Sequence, residues 1–263
     1  YMNILLVSYH FYNSTAEGLA TARVAQGLVD RGHKVVVITS ELNRFTGDKI
    51  EISSGHLKGI HIYRANYDRS CVPQWWRKFE KAREKNWLTS RLSVIPNVIY
   101  GCGIEEWAWV TNATRQAEYA WSHCGPFDIM HPRLNHAVSH YAGIQIVDKI
   151  PNLPWCAYFS DPYPHHLYPP PYTAQVGMIS RITLERKTTK IFQRAGSIVF
   201  PARRLQDFLL IRKWGRFKSK SFIAPHLKNI WQQQHPPKRG ERFIIRHSGF
   251  LMRERKIEPL FEG

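Results

Sequence analysis

Short apolar runs of strand length alternate with helix-length segments along most of the chain, and this alternation most restricts its fold. Residues 3–9 and 33–39 are continuous runs rich in Val, Ile and Leu. Between them Ala20, Val24 and Leu28 recur every four residues, which indicates a helix. Continuous apolar runs are typical of parallel strands that are buried on both faces, so the first forty residues predict a βαβ unit.

The alternation continues beyond this first unit. Five more apolar runs have strand length, at residues 60–64, 127–131, 155–160, 197–200 and 221–223. Most are separated by segments of helix length, at residues 104–122, 136–149, 177–195 and 203–214. The pattern predicts an α/β fold with a Rossmann-like, doubly wound, mostly parallel sheet of about seven strands.

The length and the last part of the chain indicate more than one domain. A chain of 263 residues accommodates one large domain, or one domain and part of another. Residues 232–241 form a polar stretch with Pro and Gly, and a new strand pattern begins at residue 242. We therefore expect a domain over residues 2–231, a linker over 232–241, and the truncated beginning of a second domain over 242–263.

Composition excludes several classes of protein. A hydrophobic content of 43% is that of a folded chain. No apolar run has the length of a membrane-spanning helix, so membrane contact is expected to be peripheral. The four cysteines are far apart and form no C-x-x-C pair, which favours reduced thiols in a cytoplasmic protein.

The net charge of +17 predicts an anionic partner. Residues 181–263 contain 20 of the 37 Lys and Arg residues but only 6 of the 20 Asp and Glu residues. No helix-turn-helix, RRM, KH or zinc-finger pattern is visible, so nucleic acid is not the expected partner. A cleft for a nucleotide diphosphate explains the cluster more simply.

Two kinds of site are disfavoured by spacing. The loop after the first strand has one glycine, Gly18, where a dinucleotide fingerprint needs three. The sequence also lacks the Tyr-x-x-x-Lys pair that would indicate a sugar-nucleotide epimerase. His136 and His140 share a helical face, but no third ligand lies within a turn of them. We expect neither a bound dinucleotide nor a metal ion.

Several segments resemble, in order, the amino-terminal domain of the GT-B glycosyltransferases, in the large retaining group called family 4. The resemblance covers nearly the whole chain, although each motif is short. The segments are MNILLVSYHF at residues 2–11, RGHKVVVIT at 31–39, FDIMH at 127–131, PWCAYFSDP at 154–162, RAGSIVF at 194–200, FIAPH at 222–226 and RHSGFLMRERK at 246–256.

The resemblance implies the amino-terminal half of a GT-B enzyme, with its active site in a cleft between two domains. This half would bind a sugar or lipid-linked acceptor, and the other half would bind a nucleotide-sugar, without cofactor or metal. The reaction would transfer the sugar to a hydroxyl in envelope or polysaccharide biosynthesis, in the cytoplasm at the inner face of the membrane. The fragment alone is expected to be inactive. A non-catalytic basic domain that binds nucleic acid or anionic lipid remains the alternative.

The resemblance also suggests residues that face the donor diphosphate. Gly18 matches the glycine of the loop after the first strand, although Leu19 stands where the family often has a second glycine. Arg255 matches the basic residue that pairs with the diphosphate and has a catalytic role. Lys256 would take this role if the match to the family motif is shifted by one residue. A solvated surface arginine is the alternative for Arg255.

Other matching positions lie on the acceptor side. Asp161 and His131 are expected to place the acceptor and are the other catalytic candidates, and Ser160 stands where a His is common. His10, after the first strand, and His165, in a loop rich in Pro and Tyr, are expected beside the acceptor. A local turn before Pro162 is the alternative for Asp161.

Residues 74–88 have the pattern of an amphipathic helix. Trp75, Trp76, Phe79 and Trp87 are the candidate contacts with an anionic membrane surface, because basic residues spread over the rest of the helix. The alternative is a helical insertion whose aromatic side chains pack on the core.

Overall fold

A computed structural model describes residues 1–11, 15–41, 59–82, 94–134, 137–168, 173 and 175–226. Its core is one sheet of seven strands, in which every neighbouring pair is parallel. The strand order is β3-β2-β1-β4-β5-β6-β7. The strands are β1 (Asn3–Val7), β2 (Lys34–Ser40), β3 (Ile60–Ala65), β4 (Ile129–Leu134), β5 (Cys156–Phe159), β6 (Ser197–Phe200) and β7 (Ser221–Ile223).

Helices flank both faces of this sheet, so the predicted Rossmann-like fold is confirmed. The last helix continues as a π-helical turn, Leu210–Trp214, and a 3-10 segment, Gly215–Lys220. The predicted linker and second-domain residues, 232–263, lie outside the described residues. The helices are α1 (Ala16–Val29), α2 (Gln74–Ala82), α3 (Val94–Tyr100), α4 (Ile104–Cys124), α5 (Val138–Lys149), α6 (Met178–Arg194) and α7 (Arg203–Leu209).

Strand β1 is buried on both faces, as its unbroken apolar sequence predicts. Leu5 and Val7 belong to the larger core, with side chains of α4, α5 and α6. Leu6 points the other way, into a smaller core with Ala22 and Ala25 of α1. Each fully buried aliphatic side chain contributes about 1.5–3 kcal/mol of hydrophobic free energy, so both helical layers depend on this strand.

The next strands of the sheet are apolar on one face and polar on the other. Met130 of β4 and Phe159 of β5 belong to the larger core. Side chains alternate along a strand, so His131, Arg133 and Tyr158 share the opposite face, beside α1. The structure corrects the predicted end of β4, because the strand continues to Leu134 and His131 lies inside it.

Helix α2 packs against the protein through one of its two adjacent tryptophans. Trp76 is 0% exposed and stacks on Tyr100 with ring centroids 4.6 Å apart, whereas Trp75 is 41% exposed. Phe79 is half-buried and meets the edge of the Trp75 ring. The prediction that Trp76 contacts a membrane is therefore wrong, because its ring is part of the core. Trp87 lies outside the described residues, among which no helix is both long and apolar enough to cross a bilayer.

Replacing Trp76 should destabilise the fold much more than replacing its neighbour. Trp76→Ala removes a buried, stacked indole and should lower the free energy of unfolding by about 3–5 kcal/mol. Trp75→Ala is the matched control and should cost less than about 1 kcal/mol. Urea unfolding followed by circular dichroism measures both. Equal losses in the two variants would contradict this account of α2.

Candidate functional site

The strand order reverses between β1 and β4, and a cleft lies at this point. From β1 the chain continues to β2 on one side, whereas β4 continues to β5 on the other. In open α/β sheets, ligands bind outside the carboxyl ends of the strands at such a switch point. A cavity of about 350 Å³ is found there, and a second cavity of about 390 Å³ adjoins it and extends along α1 to Leu28 and Arg31. The residues that line both are Ala20, Arg133, Tyr158 and His226.

Arg133 is a buried cation at the wall of both cavities. It is 5% exposed, and its Nε donates to Thr21 Oγ1 of α1 at 3.2 Å. One Nη1 hydrogen points to His131 Nε2 at 3.3 Å, and the guanidinium carbon lies 4.1 Å from the centre of the Tyr158 ring. Burial lowers the pKa of Arg133, but an arginine side chain stays protonated in proteins.

His131 holds Arg133 in place. Its Nδ1 lies 2.9 Å from the carbonyl oxygen of Cys156, and its Nε2 faces Arg133, which can only donate. These partners place the ring proton on Nδ1. Burial, together with the charge of Arg133, lowers the pKa of His131 to about 4. Both ring nitrogens have protein partners, so the geometry corrects the expected catalytic role to a positioning one.

Gly18 lies inside α1 and not in a loop before it. The N-cap residue is Thr15, and the Gly18 amide donates to Thr15 Oγ1 at 3.0 Å. That amide is therefore not directed at a ligand, which differs from the sequence-based expectation. The residues of the first turn that line the cavity are Ala16 and Glu17.

Asp161 follows β5 at the carboxyl edge of the sheet and lines the cleft. Ser160 Oγ donates to its carboxylate at 3.2 Å. The loop after Asp161 is anchored by the hydroxyl groups of Tyr163 and Tyr141, 2.7 Å apart. The structure thus brings Asp161 and Arg133 to one cavity.

The two other acceptor-side histidines differ in position. His10 follows β1 as predicted but is 1% exposed, with its ring against Tyr9. It is therefore buried and not exposed beside an acceptor as expected. His165 lies between Tyr163 and Tyr168, where burial lowers its pKa and the nearby Asp161 raises it.

A third cavity, of about 340 Å³, lies beside the carboxyl end of β1 and the start of α4. Its polar lining includes an ion pair between Arg69 and Glu105. The carboxylates of this lining can accept hydrogen bonds from hydroxyl groups, and the Asn97 amide and the Arg69 guanidinium can donate to them. The lining residues are Tyr9, Arg69, Glu80, Asn97, Gly103, Ile104, Glu105 and Glu106.

Some candidates lie outside the described residues, namely Arg255, Lys256 and His136. His140, the possible metal partner of His136, is 0% exposed, and its ring centroid lies 4.6 Å from that of Phe159. Within the described ranges, no group of three His, Cys, Asp or Glu side chains is placed to hold a metal ion.

The described basic residues are not all at the cleft. Arg203 and Arg204 follow the carboxyl end of β6, on the side of the cleft. Arg212, Arg216 and Lys218 precede β7, and so lie toward the opposite edge of the sheet. The expectation that the basic cluster marks the cleft is therefore only partly met.

Sequence reasoning missed Arg133, Tyr158 and His226. The available signal was a charged side chain two residues after His131 in an otherwise apolar run. Period-two alternation places residues 131 and 133 on one face of a strand, but only if the strand continues past His131.

No protein-family model matches the chain, and comparison with curated proteins finds no match either. Solved structures do match. The structure of Phytolacca americana UGT2 complexed with UDP-2-fluoro-glucose and pterostilbene is 7% identical, with a TM-score of 0.53, over 87% of this chain and 55% of that chain. TcCGT1 in complex with UDP is 8% identical, with a TM-score of 0.50, over 89% of this chain and 53% of that chain.

These similarities show the fold. The chain has the Rossmann-like fold found in GT-B glycosyltransferases. It spans about half the length of the solved structures that it matches.

The half-buried His131 predicts a specific pH dependence of stability. Its pKa is about 4 when folded and about 6.5 when unfolded, so at intermediate pH the unfolded chain binds more protons. Stability is therefore lost as the pH falls through this window. Between about pH 7 and about pH 5, His131 alone should account for about 2 kcal/mol of that loss.

His131→Gln retains a donor and an acceptor but does not titrate, so this part of the pH dependence should disappear. Urea unfolding at both pH values measures it, and all other titrating groups are common to the two proteins. His123→Gln, at the exposed end of α4, is the control and should behave like the wild type. An unchanged pH dependence in His131→Gln would contradict the neutral imidazole.

Proposed function

We propose that the chain is the acceptor-binding, amino-terminal half of a retaining GT-B glycosyltransferase of family 4. In the whole protein it would help transfer a sugar from a nucleotide-sugar to a hydroxyl group. The observation that carries the proposal is the cleft at the switch point of the sheet, which joins the first turn of α1, the buried Arg133 and Asp161. The similarity in fold to structures that contain UDP and a UDP-sugar supports it.

The acceptor would enter from the carboxyl edge of the sheet. The polar cavity beside Tyr9 and Glu105 suits a molecule with several hydroxyl groups. Asp161, which lines the same cavity as Arg133, would accept a hydrogen bond from the reacting hydroxyl. Orienting the two substrates is a large part of catalysis in transfers of this type.

The donor would be held mainly by a second half. The solved structures are about twice as long as the matching part of this chain, which supports a separate donor-binding domain. By resemblance, Arg255 or Lys256 would stabilise the departing diphosphate. Residues 1–263 alone would then have no transferase turnover, and a measured turnover would contradict the proposal.

The biological setting follows only from the resemblance. We propose envelope or polysaccharide biosynthesis, in the cytoplasm at the inner face of a membrane, with a sugar or lipid-linked acceptor. The exposed ring of Trp75 leaves α2 with one aromatic side chain available for such a contact.

Asp161 provides the test of this assignment. In the protein that carries this chain together with a donor-binding half, Asp161→Asn should lower kcat about 100-fold, the lower range for loss of a positioned catalytic group. The midpoint of urea unfolding should stay the same, because Ser160 Oγ can still donate to the amide oxygen. Transfer is measured by mass spectrometry with a panel of nucleotide-sugars and saccharide acceptors.

Asp30→Asn is the matched control. Asp30 is exposed at the opposite end of α1, so this variant should keep the wild-type kcat. Wild-type kcat in Asp161→Asn would remove Asp161 from the reaction.

A further inference from the structure

We infer that Arg133 binds a phosphate group of a substrate, in the cavity between the start of α1 and the ends of β4 and β5. This deepens the proposed function and rests on it for the identity of the molecule that carries the phosphate. The shared chemistry is a phosphate monoester or diphosphate, from either the donor or a phosphorylated acceptor.

The first argument is a buried charge that has no ion-pair partner among the described residues. Among the described residues, no carboxylate lies within ion-pair distance of the Arg133 guanidinium. Its hydrogen-bond acceptors are the uncharged side chains of Thr21, His131 and Tyr158, since His131 is neutral above about pH 4. Glu17 is near enough to raise the pKa of Arg133 but forms no ion pair with it. Buried charges are costly unless they are paired, so an anionic ligand would supply what the protein does not.

The second argument is the helix end in the same cavity. Ala16 and Glu17, in the first turn of the 14-residue helix α1, line the cavity together with Arg133. The N-terminus of a helix carries a partial positive charge and favours anions. Helix end and guanidinium therefore act in the same direction.

The third argument is that the guanidinium is held rigidly. Thr21 fixes Nε, His131 fixes Nη1, and the ring of Tyr158 lies against the guanidinium. His131 is itself fixed by the carbonyl group of Cys156. A planar guanidinium held in this way suits the two parallel hydrogen bonds of an arginine–phosphate contact.

The size and rim of the cavity indicate more than free phosphate. A cavity of about 350 Å³ is in the range of sites for small organic ligands. The rim includes the carboxylates of Glu17 and Asp161 and the imidazole of His226. Carboxylates accept hydrogen bonds from hydroxyl groups, so we expect a phosphate or diphosphate attached to a sugar or nucleoside.

Isothermal titration calorimetry on residues 1–263 tests the inference, with inorganic pyrophosphate as the first probe. Arg133→Met should bind pyrophosphate at least about tenfold more weakly than the wild type, as expected for losing a charge-assisted contact. Arg133→Lys keeps the charge but loses the planar fork, and should fall between the two. Arg64→Met is the matched control, because Arg64 is a partly buried arginine on β3 that donates to Ser40 and is remote from the cavity. It should bind like the wild type.

An NMR readout covers the case in which Arg133→Met does not fold. The side-chain Nη–H signals of Arg133, identified by their loss in Arg133→Lys, should shift when pyrophosphate is added to the wild type. Failure of pyrophosphate to bind the wild type, equal affinity in Arg133→Met, or unmoved Nη–H signals would each overturn the inference.

Further probes separate the two sources of phosphate and the two proposals. Donor diphosphate predicts that Arg133→Met loses affinity for UDP, whereas a phosphorylated acceptor predicts the loss for glucose 6-phosphate. If the complete protein binds nucleotide-sugar but Arg133→Met has wild-type affinity for every probe, the proposed function stands and the inference fails. If pyrophosphate binding depends on Arg133 but no nucleotide-sugar binds the complete protein, the inference stands and the proposed function fails.

Discussion

The position of β1 in the middle of a parallel sheet is the constraint on which the rest of the structure depends. Its neighbours are β2, which follows it in the chain, and β4, which comes after a long excursion. Because β1 is buried on both faces, it needs a helical layer on each side of the sheet. The connection after β1 supplies α1 on one face, and the later connections supply the helices on the other face. The chain therefore leaves the carboxyl ends of β1 and β4 in opposite directions, and the start of α1 and the end of β4 line one cavity. The cleft is a consequence of connectivity before any side chain is considered.

On the face of the sheet beside α1, polar side chains replace apolar ones and reduce the hydrophobic packing energy. Where α1 covers β1 and β2, the side chains are aliphatic. Beyond α1, the residues on this face include His131, Arg133 and Tyr158, which cannot match the packing energy of Leu or Val. Burial keeps His131 neutral, and this neutrality lets Nε2 accept a hydrogen bond from Arg133. His131 thereby bridges two groups: its Nδ1 donates to the carbonyl oxygen of Cys156, and its Nε2 accepts a hydrogen bond from Arg133, two residues further along the strand.

Sequence reasoning recovered the sheet but not the chemistry inside it. The sequence pattern predicts strands such as residues 197–200 and 221–223 to the residue, because short apolar runs bounded by polar segments are typical of strands buried in a parallel sheet. It misplaced His131 at a strand end, because Pro132 interrupts the apolar pattern, and so Arg133 was left out of the sheet. For Gly18 the deciding fact was local, because Thr15 caps the helix and takes the Gly18 amide. For Trp76 it was a tertiary partner, Tyr100, which residue spacing within α2 does not encode.

Net charge and local charge give different information about binding. Exposed groups such as Arg212 and Lys218 are surrounded by water and salt, which screen their interactions beyond about 10 Å. Arg133 is shielded from solvent, and its field acts through protein and not through water. The Coulomb energy of two charges at a given distance is several times larger at the lower effective dielectric constant of such a site than in bulk water. Arg133, a buried arginine without a carboxylate ion-pair partner among the described residues, therefore determines where an anionic ligand is held. The excess of surface charge mainly raises the rate at which an anion approaches the protein.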